Sequence, residues 1–118
     1  MGKLKVIFHV NETEQWSTAL GNIINLLRDV GEGAADIVVL ANGASVAAYA
    51  YSEKVDTMEM LSEKGVRFLA CRNSLKKMCA EGAVCINEEA LPPFITIVPA
   101  GITEIIRKQH EGYAYVKP

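Results

Sequence analysis

The sequence predicts an α/β fold, a three-layer α/β/α sandwich in which a mainly parallel sheet of about five strands lies between helices. Short apolar runs alternate along the chain with segments whose apolar residues recur every three or four positions. Strands that alternate with helices indicate βαβ units, and therefore a parallel sheet with helices packed on its faces. The chain has 118 residues, of which 50% are hydrophobic and 22% charged, as is typical of one globular domain. We therefore treat residues 1–118 as a single domain.

The first predicted strand is Lys3–Val10, whose continuous apolar end is typical of a strand buried on both faces. Asn11 then fits a helix N-cap, and Glu14 stands three residues later, as in a capping box. Gly31 and Gly33 are expected to end this helix. Its residues form one apolar stripe, which consists of Trp16, Ala19, Leu20, Ile23, Ile24, Leu27 and Val30.

The middle of the chain contains a second strand and a short helix. Asp36–Ala41 is expected to be a buried strand that stops at Asn42-Gly43. The next segment, Ala44–Tyr51, fits either a short helix or an extended stretch. A short helix that ends at Gly65 is indicated by Val55, Met58 and Leu61.

Two more strands, two helices and a terminal strand complete the prediction. Val66–Ala70 is the third strand, and Asn73 or Ser74 can cap the helix after it. Phe94–Val98 is the fourth strand, and Tyr113–Val116 is a short strand expected at an edge of the sheet. The two helices are indicated by Leu75, Met78 and Cys79 before Gly82, and by Ile102, Ile105 and Ile106 before Gly112.

A parallel sheet brings the carboxyl ends of its strands together along one side, here called the carboxyl edge, where ligands bind in open α/β sheets. The residues at the ends of the predicted strands include His9, Asn42 and Cys71. These three residues are far apart in the sequence, and the topology predicts that they share this edge. Pro99-Ala100-Gly101 follows the fourth strand and is expected at the same place.

Cys71 is the residue of the carboxyl edge with reactive chemistry. It directly precedes a predicted helix, and Arg72 stands beside it. A helix N-terminus and a neighbouring cation both favour the thiolate, which is the nucleophilic form of cysteine. The alternative is a buried, inert cysteine at the end of a strand. Of the other cysteines, Cys79 is expected to pack in the core, whereas Cys85 could act as a resolving thiol for Cys71.

The remaining candidate binding residues lie around that thiol. Asn73, Ser74 and the nearby backbone N–H groups are expected to stabilise an anion at the helix start. His9 could act as a base or donate a hydrogen bond to an anion, or it could be a structural histidine. Asn42-Gly43 could present its backbone to a ligand or simply form a turn.

Composition and missing motifs exclude several classes of function. The net charge is −2, so nucleic-acid binding is not expected. No apolar segment approaches the roughly 20 residues that span a bilayer, and no secretory signal is recognised, so a cytoplasmic protein without membrane contact is expected. The chain has three cysteines, an odd number, which argues against a disulfide framework. They include no CxxC pair, which argues against a zinc site. The motifs for dinucleotides, nucleotide phosphates and serine hydrolases are missing, so we expect neither a cofactor nor a metal.

The chain resembles the DsrE/DsrF-like family of small α/β proteins linked to sulfur relay and intracellular sulfur oxidation. The residues that carry the resemblance are VIFHV at 6–10, ALGNIIN at 19–25, Asn42-Gly43, GVRFLACRNS at 65–74 and QHEGYAYVKP at 109–118. The resemblance implies a five-stranded α/β/α fold, assembly into trimers or hexamers, and partner proteins of a sulfur relay. It also implies that sulfur is carried as a persulfide on the cysteine after the third strand, which is Cys71.

Three functions follow from these observations. The first is a sulfur carrier that holds sulfane sulfur on Cys71 and passes it to a partner thiol. The second is a non-catalytic oligomeric protein that binds a small anion or a nucleotide-like ligand, with Cys71 incidental. The third is a redox sensor that uses Cys71 and Cys85. Oligomerisation is also suggested by apolar residues predicted in loops or at an edge strand, namely Tyr49, Tyr51, Leu91, Phe94 and Tyr115.

Overall fold

A computed structural model describes residues 2–118 and confirms the predicted α/β fold. The strands are β1 (Leu4–Val10), β2 (Ala35–Ala41), β3 (Arg67–Cys71), β4 (Ile95–Val98) and β5 (Ala114–Val116). The α-helices are α1 (Gln15–Val30), α2 (Ala48–Tyr51), α3 (Val55–Glu63), α4 (Arg72–Ala80) and α5 (Gly101–His110). Two short 3-10 helices cover Gly43–Ala47 and Glu88–Ala90.

The five strands form one parallel sheet in the order β4-β3-β2-β1-β5. From β1 to β4 the chain moves across the sheet in one direction, and from β4 to β5 it returns to the far side of β1. Because crossover connections between parallel strands are right-handed, the reversal places α5 on the opposite face from α1 to α4. The terminal strand β5 lies at an edge, as predicted.

The core consists of two apolar clusters, one on each face of the sheet. On the larger face, Trp16, Tyr49 and Phe68 pack together with ring centroids 5.3–6.4 Å apart. The polar atoms of two of these rings are satisfied by carbonyl groups: Trp16 Nε1 donates to Ser45 O at 3.0 Å and Tyr49 Oη to Leu69 O at 2.9 Å. The smaller cluster lies under α5 and consists of Ile7, Val38, Leu40, Leu69, Val98, Ile105 and Tyr113.

Two of the predicted helix starts are wrong. The helix α1 begins at Gln15, and the Asn11 side chain does not cap it. The Gln15 side chain instead accepts hydrogen bonds from the backbone N–H groups of Asn11 and Glu12, at 2.9 and 3.2 Å. The helix α4 starts directly after β3, so that Cys71 occupies its N-cap position, where Asn73 or Ser74 was expected. The ambiguous segment 44–51 forms a 3-10 turn followed by α2.

The cysteine predictions are also corrected. The sulfur atoms of Cys79 and Cys85 are joined in a disulfide, and both residues are exposed. Cys79 therefore does not pack in the core, Cys85 does not face Cys71, and a chain with an odd number of cysteines does contain a disulfide. Cys71 is the free cysteine among residues 2–118. This pairing removes the basis of the redox-sensor hypothesis.

Within residues 2–118, no helix combines the length and the apolar character that crossing a membrane requires.

Candidate functional site

The carboxyl edge brings together the three side chains that the topology placed there. Residues Ile7, Leu40 and Leu69 belong to the cluster under α5, and alternate residues of a strand lie on the same face. His9, Asn42 and Cys71 each stand two residues further along, so all three lie on the α5 face at the ends of β1, β2 and β3. They form a row across three neighbouring strands, with Asn42 in the middle.

The N-terminus of α5 closes over this row at Gly101. A Cβ atom at this position would lie 2.9 Å from Leu40 Cδ1, 3.4 Å from Cys71 Cβ and 3.5 Å from Asn42 Cβ. A larger residue there would require Leu40 to shift, and the Gly101 N–H donates to Cys71 Sγ at 3.3 Å. The sequence predicts Gly101 at this edge but does not indicate its contact with the sulfur. The signal was a small residue at a helix start beside a reactive cysteine.

The Cys71 sulfur lies between the N-termini of α4 and α5. Burial raises the pKa of the Cys71 thiol. Hydrogen bonds from the Ser74 hydroxyl, the Gly101 N–H and the N–H groups of Ser74 and Asn73 lower it by more than burial raises it. The net pKa therefore lies below the ordinary cysteine value. These donors are the unpaired N–H groups that a helix start presents. Cys71 is 5% exposed, so it is a covered thiol, but one surrounded by donors rather than by hydrocarbon alone.

Ser74 connects the sulfur to the end of β2. The Gly43 N–H donates to Ser74 Oγ at 2.8 Å, which leaves the hydroxyl proton of Ser74 to be donated to the sulfur. Gly43 has φ +59°, and a Cβ there would lie 3.0 Å from the Asn11 carbonyl oxygen. Glycine is therefore required at this turn, and the turn fixes the direction in which Ser74 donates. The side chain of Asn73 is exposed, and its contribution to the site is its backbone N–H.

Arg72 points away from the sulfur. Its guanidinium donates to both carboxylate oxygens of Glu88, through Nε at 2.7 Å and Nη2 at 3.0 Å. The charge of Arg72 is therefore directed to Glu88, and the thiolate of Cys71 is stabilised by neutral N–H and O–H donors. The sequence does not indicate this pairing, because it depends on how the loop that carries Glu88 folds back over α4.

His9 and Asn42 belong to a hydrogen-bonded chain that reaches β5. His9 Nε2 lies 2.8 Å from Asn42 Oδ1, and His9 Nδ1 lies 2.6 Å from Tyr115 Oη. Tyr115 pairs in register with Ile7 and therefore lies on the same face as His9. The sequence predicts Tyr115 on an edge strand but does not indicate its contact with His9.

The described part of the chain contains no group of three or more His, Cys, Asp or Glu residues that could hold a metal ion. The groups available at the carboxyl edge are therefore one ionisable sulfur, a set of neutral donors and an imidazole. Such a site can activate a thiol as a nucleophile and can stabilise it as a leaving group.

Comparison with known proteins agrees with this architecture. The DsrE/DsrF-like family, which is associated with sulfur relay, matches residues 5–118. The solved structure of MTH1491 from Methanobacterium thermoautotrophicum, a protein of unknown function, has 29% sequence identity and a TM-score of 0.84, and the match covers 98% of this chain and 100% of that one.

The ychN protein from E. coli has the same fold, with 15% identity and a TM-score of 0.73 over 98% of this chain and 99% of its own. A comparison with curated proteins gave no match. The family match spans nearly all of the chain, including the strand and helix that meet at Cys71, and we conclude that the chain belongs to the DsrE/DsrF-like family.

Proposed function

We propose that the protein is a sulfur carrier, in which Cys71 accepts sulfane sulfur, holds it as a persulfide and passes it to a thiol of a partner protein. The observation that carries this proposal is the set of donors around Cys71 Sγ, which lowers the pKa of the thiol despite its burial. The family's association with sulfur relay supports the same chemistry.

Loading is a thiol–disulfide type of exchange. The Cys71 thiolate attacks the outer sulfur of a donor persulfide, R–S–SH, so that a new S–S bond forms at Cys71. The S–S bond of the donor breaks, and the donor leaves as the thiolate R–S⁻. The products are the Cys71 persulfide and R–S⁻, so charge and atoms balance. The step uses neither a metal ion nor an organic cofactor.

Delivery reverses these roles. A partner thiolate attacks the outer sulfur, and Cys71 leaves as a thiolate. A leaving thiolate departs faster when its pKa is low. The N–H of Gly101 and the hydroxyl of Ser74 therefore assist both steps, because they stabilise the same anion as nucleophile and as leaving group.

Intact-protein mass spectrometry after incubation with a sulfane-sulfur donor tests the proposal. The wild type should gain the mass of one sulfur atom, and Cys71→Ala should gain none. The matched control is the double variant Cys79→Ala and Cys85→Ala, which keeps Cys71 and should load like the wild type. Equal loading of the wild type and Cys71→Ala would refute the proposal and favour a ligand-binding protein in which this cysteine is incidental.

We also propose that the protein forms a trimer or hexamer and exchanges sulfur with relay proteins in the cytoplasm. Two of the aromatic residues that suggested assembly are exposed, Tyr51 at 69% and Tyr115 at 40%. Tyr49 and Leu91 are buried within the protomer and no longer support it. Light scattering at micromolar concentration tests assembly, and a monomer would contradict it.

A further inference from the structure

Four polar or ionisable side chains line up across four adjacent strands on the α5 face of the sheet. They are Cys71 at the end of β3, Asn42 after β2, His9 on β1 and Tyr115 on β5. Three of them are joined by hydrogen bonds, with Tyr115 Oη on His9 Nδ1 at 2.6 Å and His9 Nε2 on Asn42 Oδ1 at 2.8 Å. The chain of hydrogen bonds therefore starts at the edge of the sheet and ends beside the reactive cysteine.

The chemistry of these groups sets which group donates and which accepts in each of these hydrogen bonds. Asn42 Oδ1 can only accept, so the proton of a neutral His9 is on Nε2. His9 Nδ1 then carries the lone pair and accepts the hydroxyl proton of Tyr115. Each residue thus sets the donor or acceptor role of the next, and the last group in this series of hydrogen bonds is the Asn42 amide nitrogen. This nitrogen has no hydrogen-bond partner among residues 2–118.

The sheet order places the Asn42 side chain between His9 and Cys71. Strand β2 lies between β1 and β3, and Asn42 Oδ1 is turned toward His9 on β1. The nitrogen occupies the other branch of the planar amide and so does not face His9. Asn42 Cβ and Cys71 Cβ flank the same point, 3.5 and 3.4 Å from the position of a Cβ at Gly101.

The Asn42 amide is not one of the donors that stabilise the sulfur of Cys71 itself. Those donors come from Gly101, Ser74 and Asn73. A persulfide extends the side chain by one S–S bond, about 2 Å long, beyond the atom those donors hold. The Asn42 amide lies beside Cys71 and outside this donor set, so it is available to the outer sulfur.

We propose that the Asn42 amide donates a hydrogen bond to the outer sulfur of the Cys71 persulfide, and that Tyr115 and His9 hold the amide in the donating orientation. This inference rests on the proposed function. In the delivery step, a thiolate R–S⁻ attacks the outer sulfur of Cys71–S–SH, giving R–S–SH and the Cys71 thiolate. The Asn42 N–H withdraws electron density from the sulfur under attack, while Gly101 and Ser74 receive the departing charge.

The test uses Asn42→Asp, Asn42→Ala and Tyr115→Phe in the full chain, each first loaded with sulfur. The transfer rate to free cysteine as acceptor is measured, together with the pH dependence of Cys71 alkylation without sulfur. Asn42→Asp keeps the oxygen that accepts from His9 and removes the N–H. It should slow transfer by about two- to tenfold, as expected for the loss of one hydrogen bond to a neutral group, and Asn42→Ala should slow it similarly.

Two readouts separate this role from a structural one. Asn42→Ala should leave the pH dependence of Cys71 alkylation as in the wild type, because the donors to Sγ itself are untouched. Tyr115→Phe should slow transfer by a smaller factor, because it only removes the hydroxyl that keeps the His9 proton on Nε2. Tyr113→Phe removes a hydroxyl bonded to Asp36 and Arg67 at the other end of the strands. It is the matched control and should transfer at the wild-type rate.

Several outcomes would overturn the inference. Transfer by Asn42→Asp at the wild-type rate would show that the N–H does not act on the outer sulfur. A shifted alkylation profile in Asn42→Ala would show that the amide acts on Sγ instead. Failure of the wild type to take up sulfur would refute the proposed function and this inference with it, whereas a loaded wild type with an unaffected Asn42→Asp would refute the inference alone.

Discussion

Replacing Ser74 by alanine should slow the reaction of Cys71 with an alkylating reagent at neutral pH. The Ser74 hydroxyl accepts the Gly43 N–H at 2.8 Å and directs its own proton to the Cys71 sulfur. Of the groups that lower the pKa of this thiol, the hydroxyl contributes most. Its removal should therefore raise the pKa and decrease the thiolate fraction.

The size of the effect follows from the energy of one hydrogen bond. A hydrogen bond to a charged group is worth about 1.5–3 kcal/mol. Ser74 is only half-buried, so the lower limit applies, and about 1.4 kcal/mol corresponds to a tenfold change. The alkylation rate of Ser74→Ala should therefore fall about tenfold at pH values below the pKa of both proteins, and the two rates should converge above both.

The assay is the alkylation rate of the native protein with iodoacetamide, measured against pH. Asn73→Ala is the matched control from the same helical turn, because its side chain is exposed while its backbone N–H, the group that contributes, is retained. It should follow the wild-type profile. If Ser74→Ala also follows the wild-type profile, the hydroxyl does not stabilise the thiolate, and the account of the donor set is incorrect.

The same hydrogen bonds link stability to pH. A pKa that folding lowers contributes stability above the unfolded-state pKa, and this contribution is lost as the pH falls through the folded-state pKa. The lowered pKa of Cys71 should therefore make the wild type more stable than Cys71→Ser at alkaline pH by an amount that shrinks on acidification. Urea denaturation at several pH values measures the difference in unfolding free energy between the two proteins. A difference that grows toward acid pH would contradict the expected direction.

Three further predictions concern the surroundings of the candidate thiol. Gly101→Ala places a Cβ 2.9 Å from a buried leucine methyl and should cost about 1–3 kcal/mol in a denaturant titration, as overpacking does, while a wild-type midpoint would contradict the close approach. Arg72→Gln should leave the alkylation profile unchanged, because the guanidinium is bound to Glu88, and a clear slowing would show that it acts on the sulfur. Non-reducing alkylation of the unfolded protein should label one of the three cysteines, because Cys79 and Cys85 are paired, and labelling of all three would contradict the disulfide.

The strands and the longer helices could be predicted from the sequence because their cause is local. The stripe from Trp16 to Val30 repeats with the period of a helix, and the run Asp36–Ala41 suits a buried parallel strand. The start of α4 could not be predicted in the same way. Capping patterns assume that a side chain satisfies the first N–H groups of a helix, whereas no side chain caps α4 and its first N–H groups face the Cys71 sulfur.

The cysteine pairing and the partner of Arg72 also depend on the folded loop between α4 and β4. Both Cys85 and Glu88 lie in this loop, which turns back along α4 and brings them to Cys79 and Arg72. The spacing of cysteines and charges along the chain carries no information about that reversal, because it is set by how the loop packs rather than by any local preference.

The amino-acid sequence alone determines the strands, the longer helices and the position of Cys71 at the carboxyl edge, because hydrophobic periodicity and parallel topology are sufficient for these. Only the tertiary structure decides which groups surround the sulfur. Gly101 and Ser74 reach Cys71, and Tyr115 reaches Asn42 through His9, from separate parts of the chain. Hydrogen bonds act over about 3 Å. Tertiary packing brings these groups within that distance, and their separation along the sequence does not predict it.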